Sequence, residues 1–427
     1  MKRILLPLLA LVSTPVLAET VAIIGGKVVI GDGSAPIEGG TVIISNGRVT
    51  AAGSNVAVPA GAQRIDATGK WVTPGLVAGF SRIGLAGVDA VDDSNDSSAK
   101  TSPFSASLDV STGVNPDVAA IAINRAAGVT RAVVSPDASN AIFGGQGAVI
   151  DTGADPDAIT RPRVFQFVEF GEGGARRAGG SRPALIAAFR NALSEARDYA
   201  AGRLREDSQL KRADAAALVP VVNGAQKLVI HAESATDILA VLALKRETPA
   251  LSLVIVGATE GWRVAPQIAA SGVPVIASAV NDLPGSFEQI AATQSNVGRM
   301  KAAGVTVAIG MIDDDDTRQA MHAAQYAGNL VALTHVPGAT GLNWNDAFAA
   351  ITSKAAQVMG MGGEIGSLLP GRRGDVVIWD GDPLEVATGV EAVWIDGVRQ
   401  PLETRQTRLR ARYANPQEGN LPKAYDR

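Results

Sequence analysis

The sequence predicts an α/β protein: a barrel of alternating strands and helices, with a small β domain drawn from both chain ends. Three observations predict it. Short β-branched runs broken by turn residues fill the first fifty residues after the leader. A second such region closes the chain, and between the two, buried-type apolar strands alternate with helical runs.

The elements follow in order. Lys2 and Arg3 lead into an apolar run from Ile4 to Val12, and Val16-Leu17-Ala18 supplies a small-residue end, so residues 1–18 read as a secretory signal cleaved after Ala18. The run is too short for a bilayer span, and Pro7 and Pro15 interrupt the segment. From Val21 to Asp66 come VAII, KVVI, TVIIS and RVTAAG, with Asn46-Gly47 marking a hairpin. DVVIWD (375–380) and EAVWIDG, turning at Asp396-Gly397, repeat the pattern at the far end. Neither piece suffices for a stable sheet alone, so the ends are expected to pair. This gives a composite β domain from 19–73 and 365–401, a barrel from 74–364, and a charged, Pro-containing tail from 402–427.

Within the barrel region, PDVAAIAINRAAG, RPALIAAFRNALSEARDYAAG and SATDILAVLALKRE carry helical patterning. VTRAVVS (129–135), KLVIHA (227–232), LSLVIVG (251–257), VPVIAS (273–278) and VTVAIG (305–310) read as strands buried on both faces of a parallel sheet. A barrel and an open doubly wound sheet both satisfy this alternation. No GxGxxG or GxxxxGK[ST] is present to support a nucleotide-binding layout, which favours the barrel. Residues 86–110 and 172–182 are expected as loops over one face, where specificity would reside.

Composition narrows the function classes. The net charge is −4, and removal of the leader leaves 36 cationic against 42 anionic side chains, a net of −6. That mild acidity argues against nucleic acid and anionic membrane surfaces as partners. With no cysteine in 427 residues, stability must come from a large buried core, not from disulfides. No later stretch has the roughly 18 unbroken apolar residues of a membrane span, so a soluble protein of the periplasm or exterior is expected, without membrane insertion.

Several phrases, in order, resemble the amidohydrolase superfamily, specifically its imidazolonepropionase-like and related periplasmic branches. KWVTPGLVAGFSRIGL (70–85) is similar to the family's passage from β domain to first barrel strand, and ITSKAAQVMGMGGEIGSLLPGRRGDVVIWDGDPL (351–384) to its closing helix, Pro-Gly turn and Gly-Asp-x-Val return strand. The stretch from His231 to Ile276 has the order and spacing of the fifth and sixth strands with their helices, and 128–150 resembles an early strand with a Gly-rich loop. The resemblance spans nearly the whole mature chain. It implies a distorted TIM (β/α)8 barrel with a small β-sandwich domain formed from both chain ends, and ancestrally a metal-activated water at the barrel mouth attacking an amide-like carbon.

The same resemblance shows which ligands are missing. Phe80 and Arg82 stand where the first strand normally offers His-x-His, and neither can ligate a metal. Arg82 either supplies the missing positive charge at the mouth or points to solvent. His231 matches the fifth-strand ligand; it is a survivor of the metal site or a core histidine hydrogen-bonded to backbone. Glu233 is its neighbour two along, Gly257 replaces the sixth-strand His, and Glu260 is the nearby titratable group. Asp313, opening Asp313 to Asp316, matches the eighth-strand Asp that serves as ligand and base, or else an acidic helix start. Glu169 and Glu172 are nearest the bridging fourth-strand position, Glu172 being the candidate bridge or a surface carboxylate. His322 and His335 match no ligand.

The implied site is thus His231, Glu172 and Asp313 around one divalent metal, with Asp313 as base and Phe80, Arg82, Glu233 and Glu260 in the pocket. Such an oxygen-rich set argues against a tight zinc site. Two functions remain: a hydrolase of non-peptide or cyclic carbon–nitrogen bonds with weakened or lost activity, or a non-catalytic scaffold that binds a small molecule. In the second, the chain forms homo-oligomers or pairs with an active homologue.

Overall fold

A computed structural model describes residues 20–88, 91–312 and 318–414. The leader, Asp313 and the last thirteen residues lie outside these. Sixteen strands form two sheets among the described residues. The first sheet takes β1 (Val21–Val28), β2 (Ile37–Ser45), β3 (Arg48–Gly53), β4 (Gln63–Asp66) and β5 (Trp71–Pro74) from the front of the chain. The second is built from β6 (Leu76–Ser81), β7 (Val129–Val134), β8 (Phe143–Asp151), β9 (Ile159–Glu169), β10 (Lys227–Ala232), β11 (Ser252–Gly257), β12 (Val275–Ala277) and β13 (Val307–Ile309). The chain then returns to the first sheet with β14 (Val376–Trp379), β15 (Val390–Ile395) and β16 (Val398–Arg399).

In the first sheet β14 lies antiparallel against β5, with Ile378 opposite Val72, and β5 runs parallel to β1. The two ends therefore pair, as their patterning requires. Asn46 and Asp396 both take positive φ at their hairpins, which the Asn-Gly and Asp-Gly turns accommodate.

The second sheet runs in the order β6 to β13, and Met311 N–H donates to Phe80 O at 3.0 Å across the seam between its two edges. Its interior is filled by Phe80, Phe165, Phe167, Val229, Val254, Val256 and Ile276. Leu228, Ile230 and Ala232 of the same β10 face outward to the helices, so both strand faces are buried and the run reads as continuously apolar.

The expected all-parallel pattern holds except at β8, which is antiparallel to both neighbours. The segment expected as a Gly-rich loop is thus partly a nine-residue buried strand. Its glycines have a packing reason: a Cβ at Gly147 would overlap the ring of Phe165 on β9. Residues 172–182, expected as loop, begin in a helix over Gly171–Arg177, and the tail carries a helix over Arg405–Ala414 that buries no residue. No helix among the described residues is long and apolar enough to cross a membrane.

Candidate functional site

The alternation of each strand decides which polar residues reach the barrel mouth. On β10, Val229 points into the barrel, and His231, two residues on, shares its face. On β9, Phe165 and Phe167 point inward and Glu169 ends the same row. Because β9 and β10 are parallel with Glu169 in register with His231, the carboxylate and imidazole meet. His231 Nδ1 lies 3.1 Å from each Glu169 oxygen, and its Nε2 lies 3.0 Å from Glu233 Oε1. Glu233 is 4% exposed, and its second oxygen accepts the Thr259 N–H at 2.8 Å.

These groups line a cavity of about 290 Å³ together with Phe80, Arg82 and Glu288. Arg82 lines the cavity, and its guanidinium lies 3.4 Å from Asp137. Phe80 is buried against Phe167, ring centroids 5.9 Å apart. Burial lowers the proton affinity of His231, but Glu169 and Glu233 more than offset this and hold it well above the ordinary histidine range. Burial likewise pushes Glu233 up, and the bonds from His231 and Thr259 outweigh it and leave Glu233 below the usual range. Glu288 is raised, first by burial and then by the charges of Glu172 and Glu233.

The remaining sequence candidates fall elsewhere. Glu172 sits in the first turn of the helix over Gly171–Arg177 and is not among the residues lining the cavity; its backbone N–H donates to Glu288 Oε2 at 2.8 Å. Glu169 takes the position beside His231 for which Glu172 was the candidate. Glu260 ties backbone together, accepting from Ala235 N–H and Ala291 N–H at 3.1 and 3.0 Å and pairing with Arg263. Its carboxylate is thereby committed away from the cavity. Asp313, candidate ligand and base, lies outside the described residues. His322 begins a helix, and His335 ends a short turn of helix. Sequence reasoning missed Glu288, which stands on a loop where no periodicity points to the mouth. It named Glu169 with Glu172 at the end of the fourth strand but chose Glu172; the signal for Glu169 was its alternation with Phe165 and Phe167.

The described residues around the cavity do not fit a divalent ion. Both ring nitrogens of His231 face carboxylates, Phe80 has no donor, and Arg82 adds a fixed positive charge to the same wall. Among the described residues, no group of three or more His, Cys, Asp or Glu is arranged to hold a metal.

Comparison with known proteins agrees with this architecture. An amidohydrolase family model matches residues 263–399. Amidohydrolase tasK of Hapsidospora irregularis is 25% identical over 390 residues, 80% of this chain and 38% of its own length. The imidazolonepropionase of Maricaulis maris (strain MCS10) is 34% identical over 125 residues, 29% of this chain and 28% of its own. The chain therefore spans well under half the length of either relative. Among solved structures, an amidohydrolase from Thermotoga maritima MSB8 superposes with a TM-score of 0.78 at 25% identity, covering 89% of this chain and 99% of that one. Molinate hydrolase shares the fold at a TM-score of 0.56 and 18% identity, over 95% of this chain and 98% of its own. The order of strands, the nearly closed barrel, the sheet joining both ends and these matches together support the amidohydrolase superfamily.

Proposed function

We propose that the cavity at the barrel mouth takes a small molecule with a non-peptide or cyclic carbon–nitrogen amide bond, and that the chain hydrolyses it slowly without a tightly held metal. The observation that carries this is the convergence of Glu169, His231, Glu233, Glu288 and Arg82 on one cavity, in a family whose named relatives include hydrolases. In this reading Arg82 polarises the amide oxygen, as a fixed charge does best in a site withdrawn from water. Glu288, held above the usual carboxylate range by burial, carries the proton delivered to the departing nitrogen. Export through residues 1–18 belongs to the same proposal.

The test is turnover of a panel of amides and cyclic amides by the purified mature protein, with Glu288→Gln beside it. Slow turnover that falls at least tenfold in the variant supports the reading. No turnover of any member by the native protein, alongside binding of one of them, would replace it with the non-catalytic scaffold.

A specific observation favours that second reading. His231 has both ring nitrogens committed, so it offers no free base, while Leu283, Phe287 and Ile290 are 82%, 84% and 66% exposed on the loop that carries Glu288. Such an apolar rim suits contact with a second copy or an active homologue. Size-exclusion chromatography of the native chain against a Phe287→Ser, Leu283→Ser variant distinguishes them.

A further inference from the structure

We infer that Gly257 and Glu233 form a reciprocal pair, the carboxylate filling the space of any side chain at position 257, and that this pair commits the barrel mouth to work without a divalent cation. The inference rests on the reading of this cavity as the functional site. It begins from a steric fact. Gly257 ends β11 with φ +95°, and a Cβ built on it would lie 2.5 Å from Glu233 Oε1 and 2.7 Å from Glu233 Cδ. Real Cβ atoms do not approach that closely, so a side chain at 257 and the present position of Glu233 exclude each other.

Glu233 has no easy alternative position. One oxygen faces His231 Nε2 at 3.0 Å, the other accepts the Thr259 N–H at 2.8 Å, and the residue is buried. Moving it would leave the imidazole and the buried amide without their partner, which costs more than an ordinary surface adjustment. Across the mouth, Glu169 faces the other ring nitrogen. The cluster is therefore closed on itself: its donors and acceptors are spent on one another, and Arg82 with Asp137 completes the wall as a second internal ion pair. A divalent ion would compete with protons for the two ring nitrogens of His231 and with these hydrogen bonds for the carboxylates, against the repulsion of a guanidinium that cannot deprotonate. A pocket of this kind recognises its ligand by fixed charges and hydrogen bonds, not by inner-sphere coordination.

The experiment has two parts, both on the full mature chain without a histidine tag. The first measures metal per chain by elemental mass spectrometry, as purified and after incubation with zinc, manganese or iron(II) and desalting, with His231→Ala as background. The expected result is no metal above that background and no metal-induced rise in melting temperature. About one ion per chain, lost in His231→Ala, would overturn the inference and the metal-free part of the proposed reaction, while carbon–nitrogen hydrolysis itself would stand if turnover accompanies it. The second part is a double-mutant cycle with Gly257→Ala and Glu233→Ala. The positive φ penalises alanine at 257 equally in both backgrounds, so the cycle isolates the clash. The expected result is that Gly257→Ala lowers the melting temperature clearly more in the native background than in Glu233→Ala; strict additivity would overturn the pairing. Should Gly257→Ala alone fail to fold while the double variant folds, that outcome supports the pairing. Failure of both to fold leaves the metal measurement to decide.

Discussion

Arg131 grips Asp375 with two nearly parallel hydrogen bonds, Nε to Oδ2 at 2.7 Å and Nη2 to Oδ1 at 2.9 Å. Arg131 lies on β7 of the barrel and Asp375 immediately precedes β14 of the other sheet, so a bidentate ion pair buried at both ends fastens the two sheets together. Asp396 lies 2.8 Å from Nη2, and Asp151 lies 3.3 Å from Nη1.

Removing that guanidinium leaves buried carboxylates uncompensated. Arg131→Met is expected to destabilise the protein by about 3–5 kcal/mol, and Arg131→Lys by less, since the ammonium keeps the charge but loses the two-pronged geometry. Urea denaturation of the three proteins measures this; a loss under about 1 kcal/mol in Arg131→Met would show that the pair does not fasten the sheets.

Three carboxylates around one cation leave one of them poorly served. Asp151 is pushed up to about 6, first by burial, which the Arg131 charge only partly offsets. A carboxyl whose proton affinity is higher folded than unfolded contributes stability that is fully present below about pH 4 and is lost as pH rises through about 6. The melting temperature of the native protein relative to Asp151→Asn is therefore expected to fall between about pH 4 and about pH 6. A difference that stays flat across this window would contradict the assignment.

His231 contributes in the same sense, for a different reason. Burial alone would lower it, but its two glutamates hold it well above 6.5, so its contribution is fully present below that value and is lost as pH rises through the higher folded value. Nitrogen-15 spectra of the ring are expected to show both nitrogens protonated at pH 7, and Glu169→Gln to bring the titration down. A neutral ring at pH 7 in the native protein would refute this.

Gly147→Ala tests the packing of the antiparallel strand. Its Cβ would have to displace the Phe165 ring, which fills the barrel interior, at an expected cost of about 1–3 kcal/mol. Chemical denaturation gives the value; a neutral substitution would mean that the ring moves freely.

Much of the architecture was legible because it is written in local periodicity. KLVIHA and VTRAVVS are runs of one residue class, and the Asn46-Gly47 and Asp396-Gly397 turns announce their hairpins. The strand at Phe143–Asp151 was not legible: FGGQGAVID has three glycines, which read as loop until the aromatic side chains of β9 are placed against them. At the site, His231 and Arg82 were placed through the resemblance to the family's fifth and first strands. Glu288 could not be placed, since it arrives on a loop after β12 and is brought to the cavity by the Glu172 N–H, a contact between residues 116 apart.

The pairing of β5 with β14 also has a consequence in time. Thr73 and Trp379, whose side chains hydrogen-bond across that pair, are 306 residues apart. All the barrel strands must be made before β5, already beside β1, gains β14, so the first sheet closes only after the barrel has been synthesised. Until then Arg131 of β7 waits without the Asp375 carboxylate that fastens the two sheets.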